Sequence, residues 1–320
     1  MTQAILSLGD LQVHFTVRGP FNRRIGSIKA VDGVSFDLMP GEVFGLVGES
    51  GCGKSTLGKA VMGIHKPTAG EIWFEGQRID RLAPAARRTV RRSLQYAYQD
   101  PGASLDPRWK IGSSLHEPLV IHTDLDAAAR DARIRSILEA VGLPDTHLDL
   151  YPHEISGGQQ RRVGLARILT LHPKVVILDE PTSGLDVSVQ ATVLSLFRSL
   201  RETFDLTYML ISHDLAVIRT MCSRVAVMYL GRIVESGPTD AIFDRPRHPY
   251  TRSLVAAIPK IGGVRVTRDF WLQGEPPDPG NLPSGCRFRT RCPKATDLCA
   301  REEPALATVA QGSVACHFPE

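Results

Sequence analysis

Apolar and polar residues alternate along the first part of the chain, between Ile5 and Phe15. Two further runs of β-branched, apolar and aromatic residues follow at positions 30–36 and 72–74, with glycine and proline between them. Alternation with a period of two is typical of a half-buried strand. The N-terminal region is therefore predicted to form an antiparallel sheet.

Strand and helix patterns alternate in the rest of the first 240 residues. An apolar run at 42–47 is followed by a glycine-rich turn and a helical stretch at 55–62. Helices are predicted over 124–141, 159–171 and 214–221, and buried strands over 175–178, 208–211 and 224–229. This order predicts an α/β fold with an open, largely parallel sheet and a helical insert.

The composition changes past about residue 239, where Pro, Arg and Cys become frequent and residues 275–285 form a linker. The whole chain of 320 residues, 42% of them hydrophobic, has room for one large domain or two modest ones. The net charge of +4 is too slight to indicate nucleic acid as a main partner. With no run of ~18 apolar residues and no secretion signal, the chain is expected to be cytoplasmic and not to cross a bilayer alone.

The strongest chemical signal is a glycine-rich loop that fits the pattern G-x-x-x-x-G-K-[ST]. It comprises Gly48, Glu49, Ser50, Gly51, Cys52, Gly53, Lys54 and Ser55, with Thr56 next, and is here called the phosphate loop. Its backbone N–H groups would surround the β- and γ-phosphates of a nucleotide at a helix N-terminus. Lys54 would bridge those phosphates and Ser55 would ligate Mg²⁺. The alternative is a glycine-rich turn with a surface lysine.

Two carboxylates, Asp179 and Glu180, end the predicted buried strand at 175–178. Ligands bind at such strand ends in open α/β sheets. Asp179 would hold Mg²⁺, and Glu180 would polarise the water that attacks the γ-phosphate. The alternative is a strand that happens to end in acidic residues.

A second anion-binding segment lies before the helix at 159–171. It consists of Ser156, Gly157, Gly158 and Gln159, followed by Gln160, and offers backbone N–H groups at a helix N-terminus. Because the phosphate loop already encloses one nucleotide, this segment is expected to serve the nucleotide of another subunit. An ordinary serine N-cap is the alternative.

These motifs, taken together, resemble those of the ABC transporter ATPases. Six features occur in that family's order, and they are the phosphate loop, Gln99, the Ser-Gly-Gly-Gln-Gln signature at 156–160, Asp179-Glu180, residues 183–186 and His213. The resemblance implies an ABC-type P-loop nucleotide-binding domain with a RecA-like core, an antiparallel β subdomain and a helical subdomain.

The resemblance also implies roles for single residues. Gln99 would sense Mg²⁺ and the attacking water, and His213 would hold the γ-phosphate and that water near Glu180. Asp186 would act across a dimer interface, and Phe15 would stack on adenine. The implied assembly is a head-to-tail ATPase pair, with each ATP between the phosphate loop of one subunit and the 156–160 segment of the other.

More narrowly, the chain resembles the ATPases of dipeptide and oligopeptide importers, and most closely the second of their two ATPase subunits. The similarity rests on residues 103–107, 151–154 and 247–252 and on the cysteine-containing tail. It implies an ATPase domain over 1–240, with a helical subdomain at about 100–171, and a C-terminal extension over 241–320. It further implies a second ATPase subunit, two permease subunits, a solute-binding protein and a peripheral location on the cytoplasmic face of the inner membrane.

The tail contains Cys286, Cys292, Cys299 and Cys316, separated by five, six and sixteen residues. In a reducing compartment such clustering favours metal ligation over disulfides. Zinc is one option, although the tight C-x₂₋₄-C pairs usual in structural zinc sites are absent. An iron–sulfur cluster also takes four cysteines, and the importer resemblance implies a [4Fe–4S] cluster here. Four basic residues nearby are expected to favour thiolates and offset the cluster's charge, namely Arg287, Arg289, Arg291 and Lys294. Cys52 and Cys222 are expected to be packing residues.

The expected function is therefore ATP hydrolysis that powers import of peptides or a related small solute. The transported solute cannot be read from an ATPase that never touches it. A soluble ATPase of the same superfamily acting on nucleic acid or ribosomes is the alternative, but the chain has no heptad coiled coil, second cassette or strongly basic face. A nucleotide sensor without turnover would lack Glu180 or His213, and both are present.

Overall fold

A computed structural model describes residues 3–98, 105–258 and 274–320 of the chain. The chain divides into two compact units. The first comprises Met1–Met39, Val43–Asp80 and Leu210–Glu320, and the second comprises Pro40–Glu42 and Arg81–Met209.

The first unit contains most of the strands. Its elements are β1 (Leu6–Arg18), β2 (Arg24–Leu38), β3 (Val43–Val47), α1 (Lys54–Val61), β4 (Ala69–Phe74), β5 (Gln77–Arg78), α7 (Leu215–Met221), β9 (Arg224–Tyr229), β10 (Arg232–Pro238), α8 (Thr239–Asp244), α9 (Pro249–Ala256), α10 (Asp297–Arg301), β11 (Ala307–Val309) and β12 (Gly312–Val314), with a 3₁₀ turn at Pro20–Asn22.

The second unit contains most of the helices. Its elements are α2 (Pro84–Ser93), β6 (Leu94–Ala97), α3 (Ile111–His122), α4 (Ala127–Ala140), α5 (Gly157–Leu169), β7 (Val175–Asp179) and α6 (Val187–Phe204), with 3₁₀ turns at Asp145–Asp149 and Pro152–Glu154. Strand β8 (Thr207–Ser212) spans the boundary between the two units.

The N-terminal sheet of the first unit has the strand order β2-β1-β4-β5, and its paired strands are antiparallel, which confirms the prediction. Leu6 and Leu8 are buried along β1, but further on the buried positions are Leu11 and Val13. This change from even to odd positions follows from a register shift between Leu8 and Leu11. An extra residue in one strand moves the following side chains to the other face.

The other strands of the first unit follow the order β11-β12-β10-β9-β3. Strand β3 runs parallel to β9, whereas the pairs β9–β10, β10–β12 and β11–β12 are antiparallel. The last two strands, at Ala307–Val309 and Gly312–Val314, belong to the C-terminal region. The C-terminal region therefore extends the sheet that carries β3.

In the second unit, β6 runs parallel to β7, and helices α3, α4 and α5 pack on one another. The helix predicted over 124–141 is α4, which begins after its N-cap Asp126. The helix predicted over 159–171 is α5, and the buried strand predicted over 175–178 is β7. Across the part of the chain that the structure describes, no helix combines the length and apolar character needed to span a membrane.

Candidate nucleotide-binding site

The phosphate loop joins strand β3 to helix α1, so the predicted order of strand, loop and helix is confirmed. The loop depends on glycine where it meets the helix. Gly53 has φ +110°, and a Cβ atom there would lie 1.9 Å from the carbonyl oxygen of Ala30. A side chain at this position would have to displace backbone, so the tight approach needs glycine.

Lys54 is buried at the start of α1 and is not a surface lysine. Its Nζ donates hydrogen bonds to the carbonyl oxygens of Gly48, at 2.7 Å, and Glu49, at 3.0 Å. The ammonium group therefore lies inside the loop, where it can meet an anion that the loop binds. The neighbouring thiol of Cys52 is also buried, and burial raises its pKa, which agrees with a packing role.

Two further predicted residues of the first unit lie near the surface. His213 follows β8 and is exposed, and the next residue, Asp214, caps helix α7 through the backbone N–H of Ala216. Phe15 lies in β1 with 38% of its surface exposed, and its ring packs edge-on against His65 at 5.2 Å between centroids. The ring of Phe15 is thus partly exposed, and aromatic rings stack on other π-systems.

In the second unit, Asp179 is buried at the end of β7. The hydroxyl of Tyr96 donates a hydrogen bond of 2.5 Å to its Oδ2 atom. Because β6 and β7 are paired with Tyr96 opposite Ile177, the tyrosine reaches the carboxylate from the adjacent strand. Burial, together with Asp179, raises the pKa of Tyr96, so the hydroxyl keeps its proton and remains a donor. The sequence alone gives no sign of this contact, since nothing in the four residues of β6 marks Tyr96 as functional.

Glu180, directly after β7, has φ +48°, in the left-handed region that residues other than glycine rarely occupy. Its carbonyl oxygen accepts a hydrogen bond of 3.1 Å from the N–H of Ser183. A non-glycine residue held in this conformation costs about 1–3 kcal/mol, and such residues cluster at functional sites.

The signature segment forms the N-terminus of α5. The hydroxyl of Ser156 accepts from the N–H of Gln159 at 3.2 Å, and Oε1 of Gln159 accepts from the N–H of Ser156 at 2.9 Å. This is a capping box. The alternative of a serine N-cap is therefore correct as a description of the local structure, and Ser156 is exposed at the helix end.

Asp186 also caps a helix. Its carboxylate accepts hydrogen bonds from the N–H of Val189 and the hydroxyl of Ser188 at the start of α6. These bonds lower the pKa of Asp186. Gln99, like residues 103–104 of the importer motif, lies outside the described residues.

The four tail cysteines belong to one segment of the first unit, residues 284–320, here called the cysteine module. The N–H of Cys286 donates to the carbonyl oxygen of Cys299 at 2.8 Å. Burial raises the pKa of Cys286 to about 11, and the three other thiols contribute to the rise. Within the described parts of the chain no three or more His, Cys, Asp or Glu side chains form a group that could hold a metal ion, so the arrangement of the thiols lends the predicted metal no support.

The basic residues of the module act in two ways. Lys294 lowers the pKa of the Cys292 and Cys316 thiols, in the expected direction, although burial raises both overall. Arg287 forms ion pairs with Asp32 and Glu303, and Arg291 forms one with Glu49. These two guanidinium groups therefore pair with carboxylates.

Comparison with known protein families gives two matches along the chain. A profile described as "ABC transporter" matches residues 31–183. A profile described as "Oligopeptide/dipeptide transporter, C-terminal region" matches residues 234–299. The first spans the phosphate loop and the signature segment, and the second includes Cys286, Cys292 and Cys299.

Curated relatives match nearly the whole chain. The oligopeptide transport ATP-binding protein AppF of Bacillus subtilis is 46% identical over 99% of this chain and 98% of its own length. The dipeptide transport ATP-binding protein DppF of Escherichia coli K12 is 44% identical over 99% and 95%. Among solved structures, cbiO1 of Clostridium perfringens, part of the ABC transporter complex cbiONQ, superposes with a TM-score of 0.65 at 28% identity over 75% of this chain and 91% of that chain.

The similarity to cbiO1 confirms the predicted α/β fold of ABC ATPases, and similarity at these identities over nearly the full length establishes the family. The chain belongs to the ATP-binding proteins of ABC transporters and has the C-terminal region of the oligopeptide and dipeptide transporter group.

Proposed function

We propose that this chain hydrolyses MgATP and thereby powers import of peptides or a related small solute through separate permease subunits. The observation that carries the proposal is the 46% identity to an oligopeptide transport ATP-binding protein along 99% of the chain. The alternative of a soluble ATPase acting on nucleic acid or ribosomes gains no support, since AppF and DppF are both named as transport proteins.

The proposed chemistry assigns one task to each group. The phosphate loop and Lys54 bind the β- and γ-phosphates, and the loop's N–H groups face the anion at the positive end of α1. Ser55, Asp179 and Gln99 would hold Mg²⁺, which offsets the charge that develops on the transferred phosphoryl group. Glu180 would accept a proton from the attacking water, and His213 would orient that water. Phe15 would stack on adenine.

The 156–159 segment and Asp186 are proposed to act on the nucleotide of a neighbouring subunit. A Cβ atom added to Gly157 would meet no atom of this chain's described residues within 4 Å. The packing of the chain itself therefore does not require glycine there, whereas close approach of a phosphate to the backbone would. The neighbour is proposed to be a second, homologous ATPase subunit.

The full assembly is proposed to contain two permease subunits and a solute-binding protein, with this chain held by the permeases at the cytoplasmic face of the inner membrane. Residues 1–240 would act as the ATPase domain, with the helical subdomain at about 100–171, and residues 241–320 as its extension. The four cysteines are proposed to bind a [4Fe–4S] cluster, with zinc as the alternative. This proposal rests on the resemblance of the tail to that of the importer ATPases, whose C-terminal profile matches residues 234–299.

Uptake of labelled peptides by cells that lack the chromosomal gene tests the function. A plasmid copy of the normal protein should restore uptake, and a Glu180→Gln copy made in equal amount should not, because it retains the phosphate loop but lacks the base. The purified Glu180→Gln complex should still bind ATP while turnover falls by about 10²–10⁴-fold. Normal peptide uptake without the gene, or unchanged hydrolysis by the variant complex, would refute the proposal.

A further inference from the structure

An arginine of the cysteine module binds the phosphate loop directly. Nη1 of Arg291 donates to Oε2 of Glu49 at 2.6 Å, and Nη2 donates to Oε1 at 3.0 Å. Glu49 is the second residue of the loop, and the Arg291 side chain is only 4% exposed. A two-point bond between a guanidinium and a carboxylate fixes orientation as well as distance.

The backbone of Glu49 is held from the same side. Its N–H donates to the hydroxyl of Tyr250 at 2.9 Å. The Tyr250 ring packs against Tyr229 and against Phe288 of the cysteine module, with centroids 4.7 and 5.5 Å away. Arg291 lies 5.9 Å from the centre of the Tyr229 ring. The side chain and the main chain of Glu49 are thus both fixed by one buried aromatic group and its arginine.

A second arginine of the module supports the far end of the loop. Arg287 pairs with the buried carboxylate of Asp32 and donates to the carbonyl oxygen of Leu230 at 2.5 Å. The next residue, Gly231, donates its N–H to the carbonyl oxygen of Cys52 at 2.9 Å. The cysteine module therefore reaches both ends of the phosphate loop, at Glu49 directly and at Cys52 through the 230–231 turn.

The loop needs such external support. Gly48, Gly51 and Gly53 all have positive φ, and glycine gives a free loop many conformations to lose on binding a ligand. A loop already held in one conformation pays less of that entropy when its ligand binds. Contacts that hold the phosphate loop from outside should therefore appear as tighter nucleotide binding.

We propose that Arg291 is a positioning residue for ATP, which holds the phosphate loop through Glu49 and so makes nucleotide affinity depend on the cysteine module. This inference rests on the proposed function, because it needs the loop to bind ATP. Arg291 directly precedes Cys292 in the chain. A group that displaced Cys292 would therefore also shift Arg291. In this way the module would act on ATP binding without touching the nucleotide.

The test compares ATP binding and hydrolysis by the assembled transporter with the normal chain and with variants. Arg291→Met removes the positive charge and keeps most of the side-chain length, whereas Arg291→Lys keeps the charge without the two-point geometry. Glu49→Gln removes the negative charge of the carboxylate on the phosphate loop. Arg291→Met and Glu49→Gln should each raise the Kd for ATP about tenfold. For Arg291→Met the kcat at saturating ATP should change less than about twofold, since the bond is the same before and during the reaction. Arg291→Lys should restore part of the affinity.

The double variant Arg291→Met with Glu49→Gln should have a Kd for ATP no higher than that of the single variant with the higher Kd, because both substitutions remove the same interaction. Arg289→Met is the matched control. Arg289 lies in the same module, but its guanidinium donates to Ser284 and not to the phosphate loop, so its replacement should leave the Kd unchanged.

A merely structural ion pair would lower the melting temperature without nucleotide and leave the Kd of the folded variants unchanged, and that result would overturn the inference. Independent effects that multiply to about a hundredfold in the double variant would overturn it too. If Arg291→Met folds poorly, Glu49→Gln still allows the test. It is expected to fold, because Glu49 lies on a loop with its side chain 25% exposed. Failure of the proposed function would show separately, as absence of ATP binding by the unmodified protein, and would overturn both.

Discussion

The hydroxyl of Tyr96 donates a 2.5 Å hydrogen bond to Oδ2 of Asp179, and both side chains are buried on neighbouring parallel strands. The bond fixes the position of one carboxylate oxygen of Asp179. Hydrogen bonds to a ligating carboxylate orient it and tune its affinity for metal. We therefore predict that Tyr96 would act through Asp179 on the proposed Mg²⁺.

Tyr96→Phe should raise the Mg²⁺ concentration that gives half-maximal ATPase activity by about tenfold, because it removes only the oxygen that orients Asp179. Titration of the complex with Mg²⁺ at fixed ATP measures this. Tyr98→Phe is the control, since Tyr98 stacks near Tyr96 but is exposed. Equal Mg²⁺ curves for all three proteins would contradict the prediction.

Ser156 and Asp126 provide a matched pair of helix caps in the second unit. Ser156 accepts from Gln159 at the start of α5, and Asp126 accepts from Ala129 at the start of α4. Ser156→Ala and Asp126→Ala should each lower the free energy of unfolding by about 1 kcal/mol. Only Ser156→Ala should also reduce ATPase activity of the complex, by about tenfold or more, because only that cap is proposed to face a nucleotide.

Urea unfolding and ATPase assays on the same preparations separate the two effects. If both variants lose the same stability and neither loses activity, Ser156 is a helix cap and nothing more.

His248 should make stability depend on pH. It is buried, which lowers its pKa to about 3, and its Nδ1 accepts from the N–H of Tyr250. The buried carboxylate of Glu235 accepts from the N–H of His248, and burial raises the pKa of that carboxylate. Between pH 6.5 and 3 the unfolded chain binds a proton on this histidine and the folded chain does not, so stability falls as the pH falls.

From pH 7.5 to pH 5.0 this loss should be about 2 kcal/mol. His248→Asn keeps an acceptor for the cap but does not titrate. Over the same pH interval the free energy of unfolding of the variant should therefore fall by about 2 kcal/mol less than that of the normal protein. Urea unfolding at the two pH values measures the difference. Identical pH dependence in the two proteins would show that the imidazole is not the group responsible.

Metal analysis tests the cysteine module. Protein purified without oxygen should contain about four iron and four sulfide per chain if the proposed cluster is bound. Cys286→Ser with Cys299→Ser should remove both, whereas Cys222→Ala, which changes a buried cysteine outside the module, should not. One zinc per chain would favour the zinc alternative, and the absence of iron and zinc would reject a metal in the module.

Features carried by local pattern were predictable from the sequence. The alternation that begins at Ile5 gave β1, the glycine spacing around Lys54 gave the loop and its helix, and Ser156 with Gln159 gave a cap. Period and spacing report what a residue does within one turn or strand. The shift of buried positions between Leu8 and Leu11 was not predictable from the local pattern, because it depends on the pairing of β1 with another strand.

The contacts that the sequence did not reveal join distant parts of the chain. Tyr96 reaches Asp179 only because β6 and β7 pair, and Glu49 meets Arg291 from 242 positions away. No local periodicity encodes such a contact. Strands β10 and β12 were also missed, because both include glycine and each is stabilised by its neighbours rather than by its own pattern.

The separation of Glu49 from Arg291 has a consequence for the order of biosynthesis. The ribosome translates Arg291 242 residues after Glu49, so the phosphate loop is made long before the arginine that holds it. Long-range contacts of this kind form late, after most of the intervening chain has been made. A nascent chain that ends before Arg291 thus carries the phosphate loop without the arginine that fixes Glu49.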